Sequence, residues 1–471
     1  MKSDSRLATM GPIPLTILRD LMMNRFVWIV FLCILGMGCG RRGKMMEIET
    51  VSVGNESSES QAPDIEISEG DWPMWRGPDQ NGELADSNTP VQWSESENVT
   101  WKHEIPGRGH ASPVIVGDRV FIATADPQKE TQSLLCLSRE TGEVLWNQVV
   151  NQGGLPRIHS KNSQASATPA SDGHLVFVTF ANHERVQLAA YDMEGALVWD
   201  CDAGPYQSDH GFGASPTLFG RSVIVAGDSS LNGFLAAVDR ASGDILWRVQ
   251  RDGPGQRGNY STPIVATLAG RPQLIQTGYL QTKSYDPSNG ELLWTIDGPS
   301  KVTANSVASS DPYLLISGGY DEKQILCVKV EGDGTDASVI WEGSRNVSYV
   351  PSPVIVENTA LLLADDGTLA AFDLETGKQK WRERLGGNFS ATPIQVGEKF
   401  YVPDEDGTVF VFEVDPEFQL LSKNTLADGG GMSSVSVSDG SLFIRTNQYL
   451  YRVDQPKDEA VAHVSESNTE E

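Results

Sequence analysis

The chain is poor in the residues that most often carry chemistry. It has 5 Cys and 7 His in 471 residues. Cys33 and Cys39 fall in the N-terminal segment, leaving Cys136, Cys201 and Cys327 for the body. An odd, widely spaced set is no disulfide framework, and without a C-x-x-C pair a zinc ribbon or thioredoxin-like site is excluded. Positive charge is scarce as well: 36 Lys and Arg stand against 63 Asp and Glu, a net charge of −27. A nucleic-acid surface needs a basic stripe to displace counterions, so no nucleic-acid partner is expected. The carboxylates are spread through turns and both tails, the pattern of a solvated, non-sticky surface. Catalytic signatures are missing. His183-Glu184 has no second His to complete H-E-x-x-H, and neither a G-x-S-x-G elbow nor a P-loop occurs. Asp365-Asp366-Gly367 and Asp404-Glu405-Asp406-Gly407 do not extend into an EF-hand ligand series and read as hairpin turns. No catalytic residue and no metal site is expected, and the balance leans away from an enzyme.

Long hydrophobic runs are absent too. Residues 26–38 (FVWIVFLCILGMG) are apolar, but 13 residues span a bilayer poorly. A short apolar run behind Arg25 reads as an export signal, with residues 1–22 preceding a compact alternative start at Met23. Gly38-Cys39 resembles the end of a bacterial lipoprotein signal, although Gly36 stands where that motif usually has Leu. The resemblance implies a lipid on Cys39, attachment to a membrane, and a periplasmic or envelope location. Gly40 does not match the Asp of inner-membrane retention, which points to the outer membrane. Residues 40–70 are acidic and Ser-rich and read as a disordered tether; residues 459–471 read as a disordered acidic tail.

What the chain has in abundance is repetition. A hydroxyl residue followed by Pro recurs at Ser112, Thr168, Ser215, Thr262, Ser352 and Thr392, with weaker members at Ser306-Val307 and Ser434-Val435. A Trp follows roughly 30 residues later in six of them: Trp146, Trp199, Trp247, Trp294, Trp341 and Trp381. The clearest unit, 349–387, breaks into four short strands separated by turn signals, which is one propeller blade. Gly in the turn before each Trp strand supplies the tight turn. The Trp is a flat wedge suited to the gap between blades, so it reads as core rather than as a cofactor platform. The expected fold is all-β: an eight-bladed β-propeller of four-stranded antiparallel blades over 71–458. The eighth repeat lacks a Trp strand, and NVTWKHEIP (98–106) carries an orphan one. That N-terminal strand is expected to complete the last blade and close the ring, removing two exposed edges. Cys136 and Cys327 then fall in opposite blades, too far apart for a disulfide.

These repeats resemble the pyrroloquinoline-quinone-like (PQQ-like) repeat superfamily, which includes quinoprotein alcohol dehydrogenases and BamB-like lipoproteins of outer-membrane assembly. DWPMWRGPDQNG (71–82) is similar to the lead-in of planctomycete-type secreted PQQ-repeat proteins. The dehydrogenase resemblance implies adjacent cysteines, calcium ligands and an Asp base; no adjacent cysteines occur, and no position matches the others. PQQ with calcium therefore belongs only to an alternative reading, and no cofactor is expected. The BamB-like resemblance implies a monomeric, non-catalytic scaffold with envelope proteins as partners. A small polar ligand in the central funnel is a further alternative. Residues entering the innermost strands should ring one mouth of the channel: Arg108, His110, Gln164, His210, Phe212 and Asn259, then Tyr260, Asn305, Tyr349, Asn388 and Phe389.

Overall fold

The structure is a computed structural model that describes residues 50–51, 62–85, 88–229, 233–251, 258–415, 417–426 and 429–456. The export signal, Cys33, Cys39, most of the tether and the acidic tail lie outside the described residues. Every regular element among those described is a β-strand. They form eight sheets in a ring, an eight-bladed propeller. In the first blade Val114–Val116 is innermost, followed outward by Arg119–Asp126, Thr131–Ser138 and Val144–Gln152. Six further blades repeat that order along the chain.

The eighth blade closes the ring as expected. Its inner three strands are Ser436–Ser438, Ser441–Arg445 and Tyr449–Val453, and its outer strand is Val99–Glu104, paired antiparallel with Tyr449–Val453. Blade seven departs from four strands: Glu83–Leu84 adds a short parallel strand at its inner edge, opposite Gln395–Val396.

The repeating Trp residues are interblade wedges. Trp101, Trp146, Trp199, Trp247 and Trp341 each donate the indole N–H to a backbone carbonyl in the turn of the next blade, at 2.7–3.2 Å. The turn glycine of that next blade lies under the ring. A Cβ on Gly142, Gly195, Gly243, Gly290 or Gly377 would come within 2.6–2.8 Å of the preceding Trp. These glycines are needed for close approach as well as for positive φ. Trp294 is the variant. Its N–H donates to Gln273 Oε1 in its own blade, and Gln273 Nε2 donates to Gly334 O in blade five, so an amide relays the link.

The recurring hydroxyl does something different. The backbone N–H of seven of the eight Ser/Thr landmarks donates to the landmark hydroxyl of the following blade: Ser112 to Thr168, then Ser215, Thr262, Ser306, Ser352, Thr392 and Ser434, at 2.9–3.1 Å. Between blades eight and one, Ser433 Oγ donates to the His110 and Ala111 carbonyls. A belt of hydrogen bonds thus laces the ring near its axis. Buried N–H groups must find partners, and this is where these find them.

Residues 62–70 fall in the stretch expected to be a tether, yet they lie against the propeller. The buried Arg240–Asp172 ion pair joins blades three and two, and Arg240 Nη2 also donates to Pro63 O at 2.7 Å. Glu66 N–H donates to Asp172 O at 2.8 Å. Buried polar partners hold this acidic strip, together with Ile67, which packs against the core of blades one and two. Cys136 and Cys327 are buried thiols and Cys201 is half-buried; all three are unpaired with sulfur. Burial pushes each thiol up to about 12.

Candidate functional site

The inner strands of all blades start at one end of the axial channel and finish at the other. Residues 70–84 fill the finishing end and touch every blade. Gly70 O accepts from Ser438 Oγ in blade eight, Trp72 exchanges backbone bonds with Ile115 in blade one, and Ser171 N–H in blade two donates to Pro73 O. Gln80 Nε2 donates to Thr217 Oγ1 in blade three, and Gln80 Oε1 accepts from Val265 N–H in blade four. Arg76 donates to Val307 O in blade five and Pro353 O in blade six. Glu83–Leu84 pair with blade seven. Trp72 and Arg76 are each 1% exposed. The Arg76 guanidinium has only carbonyl acceptors, and burial pushes it down to about 9. The segment is a plug.

At the starting end the channel opens into a funnel-shaped cavity of about 470 Å³. Trp75 rises from the plug to line it, and the Ser/Thr belt rings its inner part. His110, His210, Tyr260, Asn305 and Tyr349, expected at the mouth, do line it. Four others are not part of its lining. Arg108 bridges to Ala125, the Gln164 carbonyl accepts from Gln132 Nε2, and Asn259 Oδ1 accepts from the Thr303 N–H and hydroxyl. Asn388 is exposed, its carbonyl accepting from Glu405 N–H. Phe212 and Phe389 are corrections. Both are buried in the core, Phe212 edge-on to Tyr206 at 5.1 Å and Phe389 against Phe410 at 5.5 Å. Each precedes a lining residue, Gly213 and Ser390, and successive side chains of extended backbone point opposite ways.

The sequence reading missed Trp75, Tyr320 and a strap at His159–Asn162. The signal for the strap was the 56-residue step from Ser112 to Thr168, the longest in the repeat. His159 N–H and Asn162 Nδ2 both donate to His210 O, and the His159 and His210 rings stack at 5.7 Å. Lys161 Nζ reaches Glu405 Oε2 in blade seven at 2.8 Å, and Glu405 Oε1 also accepts from Ser390 Oγ. The strap therefore spans part of the mouth.

His110 is held neutral. Burial, with Arg108 and Arg445 nearby, pushes its imidazole down to about 3, and its buried Nε2 has no hydrogen-bond partner. No carboxylate lines the cavity among the described residues, and no group of three or more His, Cys, Asp or Glu there could hold a metal ion. The donor set does not fit a quinone held by calcium. A larger open groove of about 1060 Å³ lies outside the ring, between blades four and five, with Leu280, Ile296, Val339 and Trp341 in its walls.

Fold and funnel together define the class: a plugged eight-bladed propeller of PQQ-like repeats. The sequence profile described as Outer membrane protein assembly factor BamB matches residues 84–167, 130–333 and 328–417, and the chain belongs to that family. The plug residues before 84 lie outside the matched spans. Outer membrane protein assembly factor BamB of Bordetella pertussis is 23% identical over 353 residues, covering 72% of this chain and 81% of that protein. The same factor of Yersinia pestis is 23% identical, covering 55% and 66%. Among solved structures, BamB from Moraxella catarrhalis superposes with a TM-score of 0.52 at 16% identity, over 76% of this chain and 98% of that one. Quinohemoprotein alcohol dehydrogenase from Comamonas testosteroni gives 0.59 at 12% identity, over 81% and 80%. Identities this low show a shared fold.

Proposed function

We propose that the protein is a non-catalytic, monomeric binding scaffold of the cell envelope, anchored through a lipid on Cys39 and presenting its outer strand edges to envelope proteins. The observation that carries this is the apolar outer rim. Val144, Leu145 and Val149 in blade one, and Leu197 and Val198 in blade two, are exposed on strands that end their sheets. An unpaired edge with apolar side chains is a template for strand addition. The chain itself uses one: Val51 forms antiparallel backbone bonds with Arg248 on the outer strand of blade three, at 2.9 and 3.1 Å. The names of the relatives support an envelope setting, and no cofactor enters this reading.

A photo-crosslinking residue placed at Val149 or Val198 in cells should capture envelope proteins, and one at exposed Asp118 should not. Equal capture at all three positions would remove the outer rim as the docking surface. Metabolic labelling with an alkyne fatty acid should mark the unaltered chain and not Cys39→Ser. Label on both would place the lipid elsewhere.

A further inference from the structure

We propose that the funnel is a binding site for a neutral, hydroxyl-rich ligand of about disaccharide size. This goes beyond the scaffold reading and does not depend on it. The plug makes the channel a dead end, so the cavity is a pocket rather than a pore. Its volume, about 470 Å³, lies in the range of small-molecule sites.

The wall chemistry selects the ligand. Seven of the eight belt hydroxyls, all but Ser112, accept a backbone N–H from the neighbouring blade, which leaves each oxygen a proton and a second lone pair. Ser306 is the exception, donating to Thr262 O. Asn305 spends its amide N–H groups on Ser317, Ser348 and Pro351, while its Oδ1 accepts from none of the described residues. These groups give donors and acceptors in mixed order around a ring, which suits many hydroxyls and no single charged group. Charge points the same way. Among the described residues Lys161 is the one Lys or Arg in the lining, and Glu405 already answers it. An anion would have to break that pair, and a cation would meet no carboxylate. Trp75, Tyr260, Tyr320 and Tyr349 add aromatic faces, on which the C–H faces of a pyranose ring can pack. An apolar ligand would satisfy the aromatics and strand the hydroxyls, so a saccharide matches both.

The test is saturation-transfer NMR on the full chain with maltose, cellobiose and sucrose as neutral probes, and glucuronate and PQQ as charged ones. Tryptophan fluorescence reads the same titrations. The expected result is saturable, millimolar or tighter binding of at least one neutral disaccharide. That binding should be weakened about tenfold or more by Tyr260→Ala or Tyr349→Ala. The proposal is overturned if no neutral sugar binds, if glucuronate or PQQ binds better, or if binding survives both substitutions in folded protein. Should a variant fail to fold, competition decides on the unaltered chain. A neutral sugar must then be displaced by a second neutral sugar and not by glucuronate; the reverse overturns the site. Crosslinking at Val149 and Val198 is read separately, so one proposal can fail without the other.

Discussion

At the residue scale, Gly243 and Gly220 separate two reasons for a glycine. Both have positive φ, 78° and 51°, but only Gly243 lies under an indole; nothing stands within 4 Å of a Cβ on Gly220. Gly220→Ala should cost about 1 kcal/mol from backbone strain alone. Gly243→Ala should cost a further 1–3 kcal/mol or so, because its methyl displaces Trp199. Urea denaturation of the two variants measures the difference, and equal costs would mean the indole contact is soft. His110 makes a second prediction. A base held neutral in the fold takes a proton more readily when unfolded. Its stabilising share is therefore complete above pH ~6.5 and is lost as pH falls towards 3. His110→Gln should flatten the acid limb of the stability curve by up to about 1.4 kcal/mol per pH unit. Parallel curves for both proteins would show that His110 titrates normally. In the sequence both the turn glycines and the Trp residues were visible. Their contact was not, because it runs between neighbouring repeats rather than within one.

At the element scale, the belt explains which part of the repeat landmark matters. Ser306 and Ser434 lack the following Pro but keep the hydroxyl, and both take their place in the belt. Thr168→Val keeps the shape and removes the acceptor for Ser112 N–H. The expected cost is about 1–3 kcal/mol, the penalty for a buried donor left unpaired, seen as a lower urea midpoint with unchanged slope. An unchanged midpoint would mean that water or a shifted carbonyl replaces the hydroxyl. The same belt sets where the inner strand begins. In the repeat at 349–387 ladder pairing begins at Val354 and not at Ser352, since Ser352 is committed to its neighbours. Period and turn residues revealed the four strands; side-chain bonds between blades, which leave no period of their own, fixed where they begin.

At the scale of the molecule, ring closure was legible from an arithmetic mismatch: one repeat with only three strands, and one Trp strand without a repeat. Trp101 answers both, with its ring against Phe443 at 6.0 Å. Removing residues 98–106 should expose the Tyr449–Val453 edge and turn a cooperative melt into aggregation; a peptide of that sequence added in trans should recover some monomer on size exclusion. An unaltered melt of the shortened chain would mean the ring holds without closure. The funnel was half legible. Residues leading into the strands were found, but alternation along extended backbone hid Phe212 and Phe389 in the core. The plug's motif was visible at 71–82, and its place was not, because its eight partners are scattered from Ile115 to Ser438.

That scattering has an evolutionary corollary. Repeat arrays usually grow and shrink by whole units, since each unit sees only its neighbours. Here one short stretch near the start of the chain is matched to every unit individually, with different atoms for each. A duplication or loss of one repeat would leave a partner missing or a contact out of step, so the lead-in acts as a tally that fixes the number at eight. It also means that the earliest part of the domain to be synthesised has its last contacts completed only when the final repeat arrives.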